Sequence, residues 1–162
     1  MCALAAESTN IVASKSKLTK LAHKRLERFV TLFAKVLVSD TPETIHDVRV
    51  ASRRLQQTLR SFVPKSKASK AQKLNRILRK LRRALGACRN FDVSIALIEK
   101  RRATVAAASL RRAWEAVQQS LDEQRTKAIA DGRVKLKHCP LIDLIERAQS
   151  CIEAIDDQPE IA

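Results

Sequence analysis

The chain has 162 residues, with 32 Lys and Arg against 17 Asp and Glu for a formal net charge of +15, and it contains only 2 Gly and 4 Pro. One domain with a buried core fits this length, and 45% hydrophobic residues with so little Gly and Pro favour helices over strands. No apolar run approaches the ~20 residues that cross a bilayer, so no membrane-spanning segment is predicted.

The first predicted elements are two helices that follow an irregular start. Residues 1–14 show no helical period and are expected to form a flexible N-terminal segment. From 17 to 38, apolar residues recur at three- and four-residue steps, the spacing of an amphipathic helix. Residues 40–43, Asp-Thr-Pro-Glu, combine a capping side chain with a proline for the first turn. They predict a second helix that runs to about Phe62.

The middle of the chain predicts two further helices separated by a glycine. Leucine and isoleucine residues mark a third helix over 71–85, and Gly86 is its expected C-terminal cap. Asn90 is then expected to cap a fourth helix that begins near Asp92. The alanine-rich stretch 103–109 either links helices or continues one.

The last third of the chain predicts two more helices. A long one runs from 110 to 130 and ends at the Asp-Gly pair 131–132, and Pro140 opens the final one. Short connections between successive amphipathic helices predict antiparallel neighbours. We therefore expect an all-α fold, an antiparallel bundle of about five to six helices over 15–156, followed by a C-terminal tail, 157–162.

The positive charge is concentrated in one part of the chain. Residues 41–112 hold 19 basic and 4 acidic residues, whereas 113–162 hold 6 and 10. A charge that served only solubility would have no reason to be confined in this way, but a binding surface would. We therefore expect an anionic partner that is attracted by the middle of the chain.

The second predicted helix separates an apolar face from a cationic one. At about 100° per residue, a stripe of cations lies roughly opposite the large apolar residues, and from His46 to Arg60 it is about 21 Å long at ~1.5 Å per residue. Such a stripe suits an extended anion, because a guanidinium donates two hydrogen bonds to one phosphate and stays charged. The third predicted helix repeats the pattern. Asp47 and Asp92 are candidates to hold an arginine in place, and a position at a helix start is an equal alternative for Asp92. The stripes comprise His46, Arg49, Arg53, Arg60, Arg79, Arg82, Arg83 and Arg89.

The sequence lacks the residue patterns of metal sites and of catalytic sites. The histidines and the four cysteines show no metal-ligand spacing, and there is neither a carboxylate pair nor a glycine-rich phosphate loop. We therefore predict reduced thiols, no metal, no cofactor and no enzymatic activity. Two alternative partners stay open: the backbone of a nucleic acid, and an acidic protein for which the bundle is a scaffold. The N-terminus lacks a signal-peptide pattern, so the cytoplasm is the expected compartment.

Two motifs in the basic middle of the chain resemble those of one known family. The first runs from Ile45 to Leu55, Ile-His-Asp-Val-Arg-Val-Ala-Ser-Arg-Arg-Leu, with Leu-Arg-Ser-Phe following at 59–62. The second runs from Leu81 to Val93 and contains Leu-Gly-Ala-Cys-Arg-Asn-Phe-Asp-Val. Together and in this order, they resemble the two signatures of the conserved-histidine α-helical domain, or CHAD, family.

The resemblance covers roughly residues 17–156 and implies a helical fold that binds inorganic polyphosphate on a basic surface. The chain departs from the family at Gln56, where a basic residue is usual, and at Asn90, where Asp is usual. The matching positions are His46, Arg49, Arg53, Arg54, Arg60, Arg79 and Arg89.

Length is the larger departure. Members of the family are usually about twice this size and contain two similar helical bundles that face each other. The chain resembles the first bundle alone, a CHAD-like half domain. Either it pairs with a second copy as a homodimer, which is the alternative that we expect, or it is incomplete for the family's function. Polyphosphate granules are one location left open within the cytoplasm.

Overall fold

The computed structural model of the chain describes the backbone of residues 2–64 and 68–156, and the side chains of 17–64 and 68–155. Within these ranges the backbone forms helices and no strand, so the predicted all-α bundle is confirmed. The predicted tail, 157–162, lies outside the described residues. The helices are α1 (Cys2–Val38), α2 (Pro42–Phe62), α3 (Ala68–Ala84), α4 (Gly86–Ala103), α5 (Ala108–Lys137) and α6 (Leu141–Asp156).

The start of α2 is the boundary that local sequence defines best. Thr41 is the N-cap, and its side-chain oxygen accepts a hydrogen bond from the backbone N–H of Thr44 at 3.2 Å. Pro42 occupies the first turn, where no intrahelical N–H is needed. The helix ends at Phe62, as predicted. The first helix ends at Val38 as expected but begins at Cys2, so residues 2–14 are helical rather than an irregular start.

The boundary between α3 and α4 differs from the prediction. No residue of the described chain has a positive φ, so Gly86 does not form the left-handed cap that was expected. Instead, Leu85 N–H donates to Leu81 and Arg89 N–H donates to Leu85, which leads one helix into the next. The fourth helix therefore begins at Gly86, and Asn90 lies inside it rather than capping a start near Asp92.

The prediction that the fifth helix ends at the second glycine, Gly132, is also wrong. The fifth helix continues through Gly132 to Lys137, because the glycine is buried where α5 crosses the end of α3. A Cβ atom at Gly132 would lie only 3.0 Å from the carbonyl oxygen of Ala84. The missing side chain thus permits a close approach of two helices instead of ending one of them.

The hydrophobic core lies between α1, α2, α3 and α6, with the C-terminal part of α5 closing it. Its largest fully buried side chains include Phe29, Ile45, Leu55, Leu78 and Ile152. Each comes from an apolar face with helical spacing, which is why the opposite faces of α2 and α3 remain available for charged residues.

The remaining helices form a hairpin at the side of this core. The fourth helix packs mainly against α5 and buries only Cys88 and Asp92, while Leu97 and Leu110 stay 61% and 48% exposed. Cysteines 88 and 139 are free thiols. No helix in the described part of the chain has the length and apolar character needed to cross a membrane.

Candidate functional site

Arginines of α2 and α3 meet in an open cleft of about 350 Å³ at the N-terminal end of α4. Gly86 and Asn90 complete its wall, and no acidic residue lines it. We call this surface the arginine cleft. Its arginines are Arg49, Arg53, Arg79, Arg82 and Arg83.

Helical spacing explains why these arginines converge. Arg49 and Arg53 lie one turn apart on α2, away from the centre of its buried face, which Val48 and Leu55 mark. On α3 the arginines recur at three- and four-residue steps. Arg79 and Arg83 lie away from the buried Leu78, whereas Arg82 lies one turn after Leu78, beside the buried face. The two helices pack against each other, so their cationic faces form neighbouring walls.

The guanidinium of Arg49 is fixed at the end of α3. Its Nη1 donates a hydrogen bond to the carbonyl oxygen of Arg82, two residues before the helix ends at Ala84. The last carbonyls of a helix have no intrahelical partner, and a cation there also interacts favourably with the helix dipole. Arg49 therefore both joins α2 to α3 and places a positive charge in the cleft.

Two polar residues of α2 position Arg82. Its Nη1 lies 3.4 Å from the hydroxyl of Ser52, and its Nη2 donates to the side-chain oxygen of Gln56. Gln56 is the position where the family usually has a basic residue. In this chain the amide at that position orients a cleft arginine, whereas a basic side chain there would repel it. The sequence carried one signal of this role, because Ser52 and Gln56 are one helical turn apart beside the stripe.

The cleft arginines lie in one another's electric field. Burial lowers the pKa of Arg49, and the nearby charges of Arg53 and Arg89 lower it further. Burial likewise lowers the pKa of Arg82, with further contributions from Arg53, Arg49 and Arg79. Arginine remains charged at physiological pH despite such shifts. The cleft is therefore a concentrated positive charge whose mutual repulsion a bound anion would relieve.

Among the other predicted site residues, Arg60 extends the cleft in one direction. Arg60 lines a recess of about 450 Å³ between α2 and α3, together with Arg76 and Arg79. Since Arg79 also lines the cleft, the two surfaces are continuous. Arg76 was not predicted, although it precedes Arg79 by three residues on the same helix. His46 is exposed on α2, one turn before Arg49.

Arg54 faces a different groove. Together with Leu21, Lys24, Arg25 and Arg28 of α1, it lines a groove on the other side of α2. Its own carbonyl oxygen accepts a hydrogen bond from Arg25 at 3.2 Å. The structure therefore separates Arg54 from the arginine cleft, although the neighbouring Arg53 lines it.

The aspartates expected to hold site arginines pair elsewhere. Asp47 lies 3.9 Å from Arg28 of α1. Asp92, whose side chain is 1% exposed, accepts a hydrogen bond from Arg125 Nε at 2.6 Å. Arg125 also donates to the carbonyl oxygen of Asp40, which ties α5 to α4 and to the α1–α2 connection. Arg125 is therefore a structural residue. Burial, together with the charge of Asp92, raises the pKa of the neighbouring Cys88 thiol to about 11.

Comparison with known proteins identifies a family for the chain. A model of the CHAD domain family matches residues 20–162, which confirms the resemblance of the two motifs and covers both helices of the arginine cleft. No curated protein and no solved structure matches the chain.

Proposed function

Because the chain belongs to the CHAD domain family, we propose that it binds inorganic polyphosphate in the arginine cleft. CHAD domains are associated in general with the binding of polyphosphate and triphosphate. The observation that carries the proposal for this chain is the cleft itself: five arginines from two helices converge there, and no acidic side chain lines it.

The arrangement of the arginines suits a linear chain of phosphates. Arg49 and Arg82 are held by hydrogen bonds to the protein, so part of the charge is fixed before the ligand arrives. Preorganised donors lose less conformational entropy on binding than flexible ones. The continuity of the cleft with the Arg60 recess provides further cations for a ligand longer than a few phosphates.

Nucleic acid is the main alternative partner, since its backbone presents the same phosphates. Proteins that bind single strands usually add aromatic side chains on which bases stack. None of the residues that line the arginine cleft or the Arg60 recess is aromatic. This favours an anion without bases, whereas the third candidate, an acidic protein, would present carboxylates in place of phosphates.

A competition experiment separates these partners. Fluorescently labelled polyphosphate is bound to the chain, and unlabelled polyphosphate, duplex DNA, RNA and polyglutamate are added at equal concentrations of anionic groups. Polyphosphate is expected to displace the probe at the lowest concentration, and pyrophosphate is expected to compete poorly because it spans few cations. Equal displacement by DNA or RNA would instead support the nucleic-acid alternative, and preferential displacement by polyglutamate would support the acidic protein.

The proposed function is binding without chemistry. Neither the cleft nor the adjoining recess is lined by a Cys, His, Asp or Glu that would serve as nucleophile or general base. Incubation with the chain should therefore leave the length distribution of polyphosphate unchanged on a gel. Association with polyphosphate granules would follow from the same cleft, and a fluorescent fusion should lose it when the cleft arginines are replaced.

A further inference from the structure

A second recess lies on the other side of α3, between its C-terminal part, the end of α5 and the connection to α6. Its volume is about 550 Å³, within the range of small-molecule pockets. We call it the α3–α5 recess. Its apolar lining includes the partly exposed Ile77, Ala84 and Cys139, beside the buried Leu81 and Leu136.

Basic groups surround this apolar surface. Lys80 and Arg83 project from α3, Lys135 comes from the last turn of α5, and His138 follows that helix. All four are exposed, and no acidic residue lines the recess. A ligand that fits would therefore combine an apolar body with a negative charge.

Stabilisation of helix ends accounts for only part of this pattern. Cations in the last turn of a helix interact with its dipole, which explains Arg83 on α3 and Lys135 on α5. Lys80 lies before the last turn of α3, where the dipole effect has faded. Nor does the dipole explain why the apolar surface between these cations remains open.

We propose that the α3–α5 recess binds a small amphiphilic anion, an acyl chain or ring system of medium size that carries one carboxylate, sulfonate or phosphate. The apolar part would lie against Ile77 and Cys139, which are partly exposed, and the anionic group would contact Lys80 and Lys135 at the rim. Such a ligand differs from polyphosphate, which has no apolar part and would leave the apolar lining of the recess exposed to water.

Decanoate is a suitable probe, and titration calorimetry measures its binding without any polyanion present. Decanoate should bind, decyltrimethylammonium should not, and each methylene removed from the acid should weaken binding about fourfold. Equal binding of the cationic and anionic probes would overturn the proposal, because it would leave the basic rim without a role.

Two variants test the location. Lys80→Glu combined with Lys135→Glu should weaken decanoate binding by about tenfold or more, since two rim charges are reversed. Lys20→Glu combined with Lys127→Glu changes the net charge equally at exposed positions outside the recess and should leave binding nearly unchanged. If both pairs weakened decanoate binding equally, the binding would depend on the net charge of the chain and not on this recess. Arg83 is left intact because it also lines the arginine cleft, so failure here would not bear on polyphosphate binding.

Cys139 provides a reporter inside the recess. Burial raises the pKa of its thiol, so alkylation by N-ethylmaleimide is followed at alkaline pH and quantified on the peptide that contains it. Saturating decanoate should slow this alkylation in the native chain and in the Lys20/Lys127 variant. Unchanged alkylation at saturation would place the bound decanoate elsewhere and refute the assignment. Where the thiol reacts too slowly to follow, the calorimetric comparison of the two variant pairs decides.

Discussion

Removal of two exposed cleft arginines should weaken polyphosphate binding without disturbing the bundle. Arg53 and Arg79 are the appropriate pair, because both are exposed and line the cleft from different helices. Arg49 and Arg82 are less suitable, since their hydrogen bonds connect α2 and α3 and their loss would also affect the fold. The variants are therefore Arg53→Ala alone and Arg53→Ala with Arg79→Ala.

The expected size of the effect follows from charge-assisted contacts and counterion release. Loss of one hydrogen bond to a charged group costs about 1–3 kcal/mol, so Arg53→Ala should raise Kd by about 5- to 150-fold. In single-stranded nucleic acids, each phosphate that a cation neutralises adds about −0.7 to the slope of log affinity against log salt concentration. Applied to polyphosphate, this value gives a slope of about −3.5 for five arginines. On the same basis, the double variant, with three cleft arginines left, should give a slope of about −2.

Fluorescence anisotropy with labelled polyphosphate over a salt series measures both quantities. The matched control is Lys20→Ala with Lys127→Ala, which removes two charges at exposed positions outside the cleft. Arg125 is unsuitable as a control because it pairs with buried Asp92. If the control pair weakens binding as much as the cleft pair, the chain acts as a diffuse positive charge and the cleft assignment is wrong. Circular dichroism should show native helicity in both pairs.

Four further predictions concern the fold and the assembly. Gly132→Ala should destabilise the chain by about 1–3 kcal/mol in thermal or urea unfolding, because its Cβ would meet the Ala84 carbonyl at 3.0 Å. Gly86→Ala should be neutral or stabilising by up to about 1 kcal/mol, since it is helical and its Cβ meets nothing closer than 3.8 Å. Arg125→Ala should destabilise by about 3–5 kcal/mol, because it leaves the buried Asp92 carboxylate unpaired. We also expect a homodimer, in which a second copy supplies the facing wall of the cleft, and a monomeric mass in light scattering with and without polyphosphate would refute it.

The elements that sequence predicted well are those whose signals are local. The boundaries of α2 followed from Thr41, Pro42 and its apolar period, and the convergence of cations on α2 and α3 followed from the same period. The two glycines were misassigned because a glycine is read as a stop when its packing is unknown. Gly132 is explained only by the carbonyl of Ala84, which comes from another helix.

Side-chain partners were the least predictable part of the site. Arg53 and Arg54 both match the family motif, but a rotation of about 100° per residue turns them toward different surfaces beside α2. The pairing of Asp92 with Arg125 joins residues 33 positions apart, and no local pattern connects them. Likewise, the sequence showed Gln56 only as a departure from the family motif, and its role became clear from its contact with Arg82.

The positive charge of the arginine cleft attracts polyphosphate but also destabilises the folded state. Added salt should therefore have opposite effects on the stability of the chain and on its affinity for polyphosphate. Burial lowers the pKa values of Arg49 and Arg82, and the charges of neighbouring arginines lower them further. The second contribution means that the free cleft holds like charges together at a cost in free energy. Added salt screens this repulsion and should raise the melting temperature of the free chain, while it weakens polyphosphate binding through counterion release. Polyphosphate itself should stabilise the chain most at low salt, where both the repulsion and the affinity are largest. A melting temperature of the free chain that falls as salt rises would show that the clustered arginines are not under this strain.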